Sequence, residues 1–347
     1  MFDKKDHIIP LDRFIDNALY HPNKGYYTKK KSFGKSGDFI TSPNISIIFS
    51  EMIFIWVISY WKHFYNNRKI NIVELGAGNG EMMHQIIISS KKFSNFYKNC
   101  EFIIFEKSKK LIQVQKKRLK GFKVKWSKNL NKISNKPTIF LGNEFLDALP
   151  VKHYLKINDK WYERYVEKIN GTYRFKNIKC DIKKIEKKLN FNISKNQSFL
   201  EIPFDEIKLI KELNDFITKN GGGILFIDYA YLSPRMFDTL QGIKNHRKID
   251  ILSEVGNADI SHLINIPFLK KVVKEQKLEI SYKSQREFLL NLGILQRADI
   301  LASKKSFLEK ANIYYRINRL IDKKQMGELF KVIYFYKKNN KFKLGFK

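Results

Sequence analysis

A glycine-rich segment has the residue types and spacing best suited to chemistry in this 347-residue sequence. Gly76, Gly78 and Gly80 follow an apolar run at 72–75 that contains Glu74. Glycines placed where a buried strand ends let the backbone turn sharply and approach a ligand closely. The G-x-G-x-G spacing differs from the G-x-G-x-x-G of dinucleotide sites, where a helix N-terminus faces a pyrophosphate. The spacing therefore favours a ligand without phosphate groups, although a tight strand-to-helix turn would use the same glycines.

Acidic residues at the ends of two neighbouring strands narrow the choice of ligand. Glu106 ends the apolar run 101–106, 32 residues after Glu74. A carboxylate at this position can accept hydrogen bonds from both hydroxyl groups of a ribose, and Glu74 can help to provide an acceptor for an ammonium group. S-adenosylmethionine (SAM) carries a ribose and an ammonium group but no phosphate. We therefore expect a SAM site here, with S-adenosylhomocysteine as the product; the alternative for Glu106 is a solvated glutamate at a strand end.

The elements that must position these residues follow from the alternation of apolar and amphipathic stretches. Between 70 and 150 the sequence predicts strands and helices in turn, which is typical of a parallel sheet with right-handed crossovers. Two strand-like runs near the end of the sequence, 331–336 and 342–346, predict an antiparallel hairpin on that sheet. Together these patterns predict an α/β fold with a Rossmann-like sheet of the class I methyltransferase type, mostly parallel with a C-terminal antiparallel hairpin.

Three regions differ in their pattern of apolar and polar residues, and these differences predict the domain organisation. Residues 1–69 are expected to form an N-terminal helical cap or lid, and 151–204 a small β-meander insertion. The SAM-binding catalytic domain would then comprise 70–150 and 205–347. The apolar run 45–61 would span roughly 25 Å as a helix, less than a hydrocarbon core of ~30 Å. We interpret it as a buried amphipathic helix and expect no transmembrane segment.

The formal net charge of +32 invites a nucleic-acid function, but its distribution favours a simpler interpretation. The basic residues are mostly lysines scattered along the chain, without an RGG tract, an aromatic RNA-binding signature or a Cys/His finger. We expect a solvated lysine-rich surface and no specific nucleic-acid binding; attraction to acidic partners or to an anionic membrane is the alternative. Cys100 and Cys180 lie far apart without other metal-ligand residues, so we expect neither a metal site nor a disulfide.

Eight short segments form an ordered set that runs nearly from end to end. They are L-Y-H-P at 19–22 with G-Y-Y at 25–27, G-D-F at 37–39 with T-S-P at 41–43, the glycine segment, N-E-F at 143–145 with D-A-L-P at 147–150, D-Y at 228–229, D-T-L at 238–240, Q-R-E-F-L at 285–289 and M-G-E-L-F-K-V at 326–332. In this order the segments resemble the MidA-type methyltransferases, whose mitochondrial members are complex I assembly factors.

The resemblance implies methylation of an arginine side chain in a protein substrate, with an arginine of the large catalytic-arm subunit of respiratory complex I as the family precedent. A guanidinium group is a planar fork of N–H donors that carboxylates match in pairs. Glu144 and Asp147 are three residues apart, so a first helical turn would bring them to one face as the guanidinium-binding pair. The alternative is that they cap that helix. Asp228, at the end of a later strand, is expected to line the same cleft as a third catalytic residue.

The remaining cofactor-binding residues are expected at the strand-end residue Asn143 and in the N-terminal lid. Asp38, Thr41 and Ser42 would close on the carboxylate and sulfonium groups of SAM. Turn formation by Asp38, and helix capping by Ser42 before a proline, are the alternatives.

Two other functions stay open at this point. The family pattern has Gly and Asp where this chain has Ala230 and Asn265, which would suit a SAM-binding assembly chaperone with little turnover. A nucleic-acid methyltransferase would need a base-flipping pocket with an Asn-Pro-Pro-aromatic type of loop, whereas the segment 143–145 carries an acid that repels phosphates. The absence of a recognisable secretory signal or transit peptide favours a bacterial-type cytoplasm, with the mitochondrial matrix as the alternative.

Overall fold

The computed structural model describes residues 7–28 and 41–347. The strands are β1 (His7–Pro10), β2 (Ile70–Leu75), β3 (Cys100–Phe105), β4 (Val124–Ser127), β5 (Thr138–Asn143), β6 (Lys152–Ile157), β7 (Lys160–Ile169), β8 (Thr172–Lys179), β9 (Phe199–Ile202), β10 (Gly222–Tyr231), β11 (Gln241–Lys244), β12 (Arg247–Ile249), β13 (Asp259–Ser261), β14 (Ile264–Asn265), β15 (Glu279–Ser284) and β16 (Phe330–Tyr336). The α-helices are α1 (Leu11–Tyr20), α2 (Ser42–Ile45), α3 (Ile47–Tyr65), α4 (Glu81–Lys91), α5 (Ser94–Asn99), α6 (Lys109–Arg118), α7 (Ile182–Leu189), α8 (Phe204–Asn220), α9 (Ile266–Glu275), α10 (Gln285–Asn291), α11 (Ile294–Ala302), α12 (Phe307–Ile321) and α13 (Met326–Leu329).

The central sheet runs in the order β15-β16-β10-β5-β2-β3-β4, and β14 pairs with the end of β10. From β10 through β5, β2 and β3 to β4, neighbouring strands are parallel. Strand β16 is antiparallel to both of its neighbours, β10 and β15. A mostly parallel sheet with an antiparallel strand contributed from the C-terminal part of the chain is the predicted fold class, which is confirmed.

The prediction of a second strand for the C-terminal hairpin is wrong. Residues 342–346 form no strand, and the antiparallel partners of β16 are β15 and β10. Phe342 packs instead against the rings of Trp56 and Tyr60, with centroids 5.6 and 5.1 Å away. Phe346 packs against Phe288 and Tyr334, with ring centroids 5.3 and 5.6 Å away. The alternating apolar residues of this run therefore pack into the core without forming a strand.

Helix α3 packs against the central sheet and is not part of a separate lid. Ser46 is its N-cap, and the Ser46 hydroxyl accepts the N–H of Ile48 at 3.3 Å. Trp56 and Trp61 are at most 1% exposed and belong to the same apolar cluster as Ile72 of β2. A domain boundary at residue 69 therefore does not match the packing. By length and composition α3 is the one helix in the described ranges that could cross a membrane, yet most of it is buried inside the protein.

A second sheet combines the insertion with the N-terminus. Its strand order is β1-β7-β6-β9, with β8 paired to β7. Strand β1 lies antiparallel to β7, so that His7 is opposite Lys168. Phe14 and Ile15 of α1 pack in one buried cluster with Val166 of β7. Residues 151–204 thus hold the expected β strands together with α7, and the first described segment completes their sheet.

A third, small sheet follows β10 and was not predicted. It has the order β12-β11-β13. Its strand β13 contacts α1 and carries Asp259, which accepts a hydrogen bond from the Tyr27 hydroxyl at 2.8 Å. This sheet therefore brings an acidic residue from a distant part of the sequence to the N-terminal region.

Candidate active site

A cleft of about 360 Å³ opens at the carboxyl ends of β2, β3 and β5. Eight residues expected in the site line it: Thr41, Glu74, Gly76, Gly78, Glu106, Asn143, Glu144 and Asp147. Ser42, Gly80 and Asp228 do not line it, and Asp38 lies outside the described residues. The structure therefore brings most of the predicted set together from four separate segments of the chain.

The glycine segment turns sharply between β2 and α4. Gly76, Gly78 and Gly80 have φ angles of +65°, +50° and +81°, the left-handed region that favours glycine. A Cβ atom on Gly76 would lie 2.4 Å from Cδ2 of Phe145, so no side chain fits there. Gly80 is the N-cap of α4 and does not face the cleft. For Gly80 the turn alone explains the residue, whereas Gly76 and Gly78 form part of the cleft wall.

Two oxygen atoms of cleft-lining residues lack partners, and this supports a cationic amino group as ligand. Oε2 of Glu74 and Oδ1 of Asn143 are buried without a hydrogen-bond partner in the described part of the chain. Burial raises the pKa of Glu74 to about 8, although the Met83 backbone N–H opposes the shift. A buried acceptor without a donor costs about 1–3 kcal/mol. The ammonium group of SAM supplies such donors, so the residues present fit this cofactor.

Glu106 is held by a buried network at the end of β3. Its Oε1 accepts the backbone N–H of Ser108 at 2.9 Å, and its Oε2 accepts Nε2 of Gln115 at 3.1 Å. Burial raises the pKa of Glu106. The same Gln115 amide donates to the carbonyl of Gly78 at 3.0 Å and accepts from the Trp126 indole at 3.0 Å. Gln115 therefore links Glu106, the predicted ribose-binding acid, to the glycine segment. The sequence shows Gln115 only as a polar residue among lysines, so this role was not predicted.

The segment from Glu144 to Pro150 forms a tight loop, so both the predicted helical turn and the capping alternative are wrong. Oδ2 of Asp228 accepts the backbone N–H groups of Phe145, Leu146 and Asp147 at 3.0, 2.8 and 3.3 Å. Glu144 has a φ angle of +51°, which a glutamate rarely adopts. Three amide groups that converge on one oxygen hold this conformation. Asp228 is thus a positioning residue behind the loop, and its predicted place in the cleft wall is wrong.

Several carboxyl groups meet where the loop borders the cleft. Oε1 of Glu144 accepts the N–H of Ser42 at 3.2 Å and Nδ2 of Asn143 at 2.9 Å. Burial raises the pKa of Glu144 to about 8, and the charges of Asp228 and Asp259 add to the shift. Burial, followed by the charges of Asp228, Asp259 and Glu144, also raises the pKa of Asp147. A cation in the cleft would lower these pKa values, because it favours the ionised carboxylates.

The N-terminal residues contribute less than expected. Thr41 lines the cleft and is the N-cap of α2, and its Oγ1 accepts Nδ2 of Asn44 at 2.7 Å. Ser42 is fully buried, and its hydroxyl donates to Oε1 of Gln285 at 3.4 Å, away from the cleft. The predicted SAM contact of the Ser42 hydroxyl is therefore wrong. Ser42 reaches the site only through its backbone N–H, which holds Glu144.

Other cleft residues were not predicted as site residues. Asp259 comes from β13, and Tyr20 and Tyr27 come from the N-terminal region, where only their occurrence in family-like segments drew attention to them. One face of α8 also lines the cleft, with residues spaced i, i+3, i+4 and i+7: Asp205, Lys208, Leu209 and Glu212. The helical spacing of that face is visible in the sequence, but its meeting with the cleft depends on the fold.

The two departures from the family pattern lie away from the cleft. Asn265 is the N-cap of α9, where its Oδ1 accepts the N–H of Phe268 at 2.7 Å. Ala230 is buried in β10 beside Ile264 of β14. Neither residue lines the cleft. The sequence differences that suited a chaperone with little turnover therefore lie outside the cleft wall.

Comparisons with known proteins agree with this geometry. Residues 52–282 match the family model described as "Putative S-adenosyl-L-methionine-dependent methyltransferase". The chain is 28% identical to "Protein arginine methyltransferase NDUFAF7, mitochondrial" of Xenopus tropicalis, over 93% of this chain and 81% of that protein. It is 29% identical to "Protein arginine methyltransferase NDUFAF7 homolog, mitochondrial" of Caenorhabditis elegans, over 83% of this chain and 74% of that protein.

Solved structures share the fold. A Burkholderia thailandensis protein crystallised with S-adenosyl-homocysteine has a TM-score of 0.80 at 23% identity, over 98% of this chain and 89% of that one. A native crystal structure from the same organism has a TM-score of 0.78 at 24% identity, over 98% and 88% of the two chains. The family model covers more than half of the sequence. The chain therefore belongs to this family of S-adenosyl-L-methionine-dependent methyltransferases, and SAM is its cofactor.

Proposed function

We propose that the methyl acceptor is an arginine side chain of a protein, bound by the carboxyl groups of Glu144, Asp147 and Asp259. The observation that carries this proposal is the excess of acidic over basic residues in the lining of the cleft. Among the residues that the structure describes, eight acidic ones line it against two basic ones, Lys107 and Lys208, in a chain whose net charge is +32. Such a cleft attracts a cationic acceptor and repels the phosphates of a nucleic acid.

The closeness of these acids favours a guanidinium group in particular. Asp147 is buried and Glu144 is half-buried. Removal from water raises the pKa of both carboxyl groups, and the charges of neighbouring carboxylates raise it further. A guanidinium presents five N–H donors in one plane and keeps its charge at any working pH, so it can pair with more than one carboxylate. The curated relatives are named protein arginine methyltransferases, which supports the same acceptor.

Bound SAM would supply an activated methyl group on its sulfonium. The carboxyl groups bind the guanidinium of the acceptor and fix its orientation in the cleft. Because the guanidinium nitrogen that gained the methyl group would lose a proton, Glu144 or Asp147 would accept that proton. Pro43 and Asn44 of α2 lie in the cleft wall and help to exclude water from it.

We further propose that the protein substrate is a subunit of respiratory complex I. The resemblance to the MidA-type methyltransferases supports this proposal. The word "mitochondrial" in the names of the relatives agrees with it. The acidic cleft is consistent with any exposed arginine, so the choice of subunit rests on the resemblance.

The test is methyl transfer from labelled SAM by the full-length protein to proteins of a strain that lacks the gene. We expect label that survives nuclease treatment, enters a complex I subunit and is recovered as methyl-arginine by mass spectrometry. Label recovered on lysine or on nucleic acid would contradict the arginine proposal. Binding of SAM without any transfer would favour an assembly chaperone.

A further inference from the structure

Helices α11 and α12 expose apolar side chains to an extent seen nowhere else in the described part of the chain. Four large apolar side chains there are more than 60% exposed: Ile300 (66%), Phe307 (83%), Leu308 (78%) and Tyr315 (65%). All four lie in this pair of helices, within 16 residues of one another. Single exposed apolar residues are ordinary, but a group of them marks a contact surface.

The most exposed apolar residues of α12 share one helical face. Phe307, Ala311 and Tyr315 are spaced i, i+4 and i+8, and Leu308 adjoins them; all four are exposed. Phe307 and Leu308 are the first two residues of the helix, so they project where the chain turns from α11 into α12. We call Ile300, Phe307, Leu308, Ala311 and Tyr315 the apolar stripe.

The opposite face of α12 holds the helix firmly to the protein. Ile317 and Leu320 are at most 1% exposed and belong to the main apolar cluster. Nε2 of Gln285 donates to the carbonyl of Leu320 at 2.9 Å. Ser306 and Glu309 form a capping box that fixes the start of the helix. The apolar stripe is therefore carried by a fixed helix and is not part of a frayed end.

Basic residues outnumber acids in the part of the sequence that carries the apolar stripe. From 299 to 316 there are four basic residues, Lys304, Lys305, Lys310 and Arg316, and two acids, Asp299 and Glu309. Both acids have partners: Oδ1 of Asp299 accepts the Tyr314 hydroxyl at 2.7 Å, and Oε1 of Glu309 lies 3.2 Å from Nζ of Lys305. The local charge has the same sign as the net charge of the whole chain.

We propose that the apolar stripe docks the protein onto an anionic lipid bilayer. Projecting Phe, Leu and Ile side chains enter the boundary between headgroups and acyl chains, while flanking lysines remain among anionic headgroups. Charge complementarity favours this occupant over a protein partner, because interfaces between proteins are depleted of lysine. The net charge of +32 adds long-range attraction to such a surface.

The experiment measures co-sedimentation of the full-length protein with phosphatidylcholine vesicles, with and without phosphatidylglycerol. We expect binding only when phosphatidylglycerol is present, weakening as salt is added. The variant Phe307→Ser/Leu308→Ser should bind at least about tenfold more weakly, because two apolar side chains no longer enter the bilayer. The variant Lys304→Gln/Lys305→Gln should lose about fivefold for each lysine.

Leu232→Ser/Phe237→Ser is the matched control, since these side chains are 48% and 47% exposed outside the apolar stripe. It should bind vesicles as the wild type does. All variants alter exposed side chains, and unchanged thermal midpoints will show that they fold. The proposal is overturned if the wild type does not bind, if neutral vesicles bind it equally well, or if Phe307→Ser/Leu308→Ser binds normally. A wild-type dimer that this variant converts to monomers would assign the apolar stripe to self-association instead.

Discussion

Asp228 accepts a hydrogen bond from the backbone N–H of Leu146 at 2.8 Å, across 82 residues of sequence. The same oxygen accepts the N–H groups of Phe145 and Asp147. A buried carboxylate that receives several backbone donors can fix a loop in one conformation. Glu144 and Asp147 belong to that loop. Asp228 therefore sets the position of the proposed acceptor site, although it does not line the cleft.

Asp228→Asn tests this relationship. The amide has one acceptor atom instead of two, so it leaves backbone donors unsatisfied, and we expect a loss of about 1–3 kcal/mol in the free energy of unfolding. Displacement of the loop should lower kcat by about tenfold or more, while the dissociation constant of SAM stays nearly unchanged. The measurements are thermal unfolding, SAM calorimetry and methyl-transfer kinetics below the unfolding temperature.

Glu206→Gln is the control for Asp228→Asn. Glu206 is also buried, and its burial raises its pKa to about 8, with a further increase from the charge of Asp228. Within the described ranges, however, its Oε2 has no hydrogen-bond partner. We expect its amide variant to keep kcat. If Asp228→Asn kept kcat as well, the loop would not depend on Asp228.

Glu144→Gln and Asp147→Asn test the proposed acceptor site. Both changes nearly preserve shape but remove the charge that orients a guanidinium and accepts its proton. Loss of a positioned base lowers the rate by about 10²- to 10⁴-fold, and SAM affinity should change little because the cofactor's proposed contacts are elsewhere. Transfer of labelled methyl groups and calorimetry measure the two effects. Near-normal turnover in the double variant would remove both residues from the catalytic list.

Gly76→Ala and Gly80→Ala distinguish a glycine of the cleft wall from a glycine that only forms the turn. A Cβ at Gly76 would collide with Phe145 at 2.4 Å, whereas one at Gly80 would meet its nearest neighbours at 3.6 Å, an ordinary contact. Both positions have positive φ angles, so both variants carry backbone strain of about 1 kcal/mol or more. We expect Gly76→Ala to weaken SAM binding strongly and Gly80→Ala to affect mainly stability. Equal SAM affinities in calorimetry would argue against Gly76 as part of the SAM site.

The raised pKa of Glu144 predicts how stability changes with pH in the absence of SAM. Its pKa is about 8 in the folded protein, against an ordinary value of 4.5. Between these values the folded protein holds a proton that the unfolded chain releases, so the free energy of unfolding falls as pH rises. Glu144→Gln removes this contribution, and the variant should therefore be more stable than the wild type at pH 8 by about 1 kcal/mol or more.

Chemical unfolding at several pH values measures this effect. The wild type and Glu144→Gln should have similar stability near pH 4.5 and diverge as the pH rises. Curves that stay parallel over the whole range would mean that Glu144 ionises normally in the folded protein. The comparison is independent of turnover, so it remains informative for a variant without activity.

The sequence alone determined those parts of the site that depend on local pattern. Glu74 and Glu106 were located because parallel strands end at one edge of a sheet, and buried strands are recognised by apolar runs. Gly76 and Gly78 were located because a sharp turn after a strand needs positive φ angles. Each inference uses neighbours a few residues away, so it did not require knowledge of the fold.

Tertiary structure decided the features that depend on distant contacts. The spacing of Glu144 and Asp147 is the same in a helical turn and in a loop. Asp228, which β10 brings alongside, holds the loop through three backbone N–H groups. Asp259 reaches the cleft through a small sheet without a clear sequence pattern. The apolar residues of α3 and those after β16 indicated that these segments are buried. They did not indicate which residues they pack against. Periodicity reports which face of an element is buried, whereas the packing of all elements together determines what that face meets.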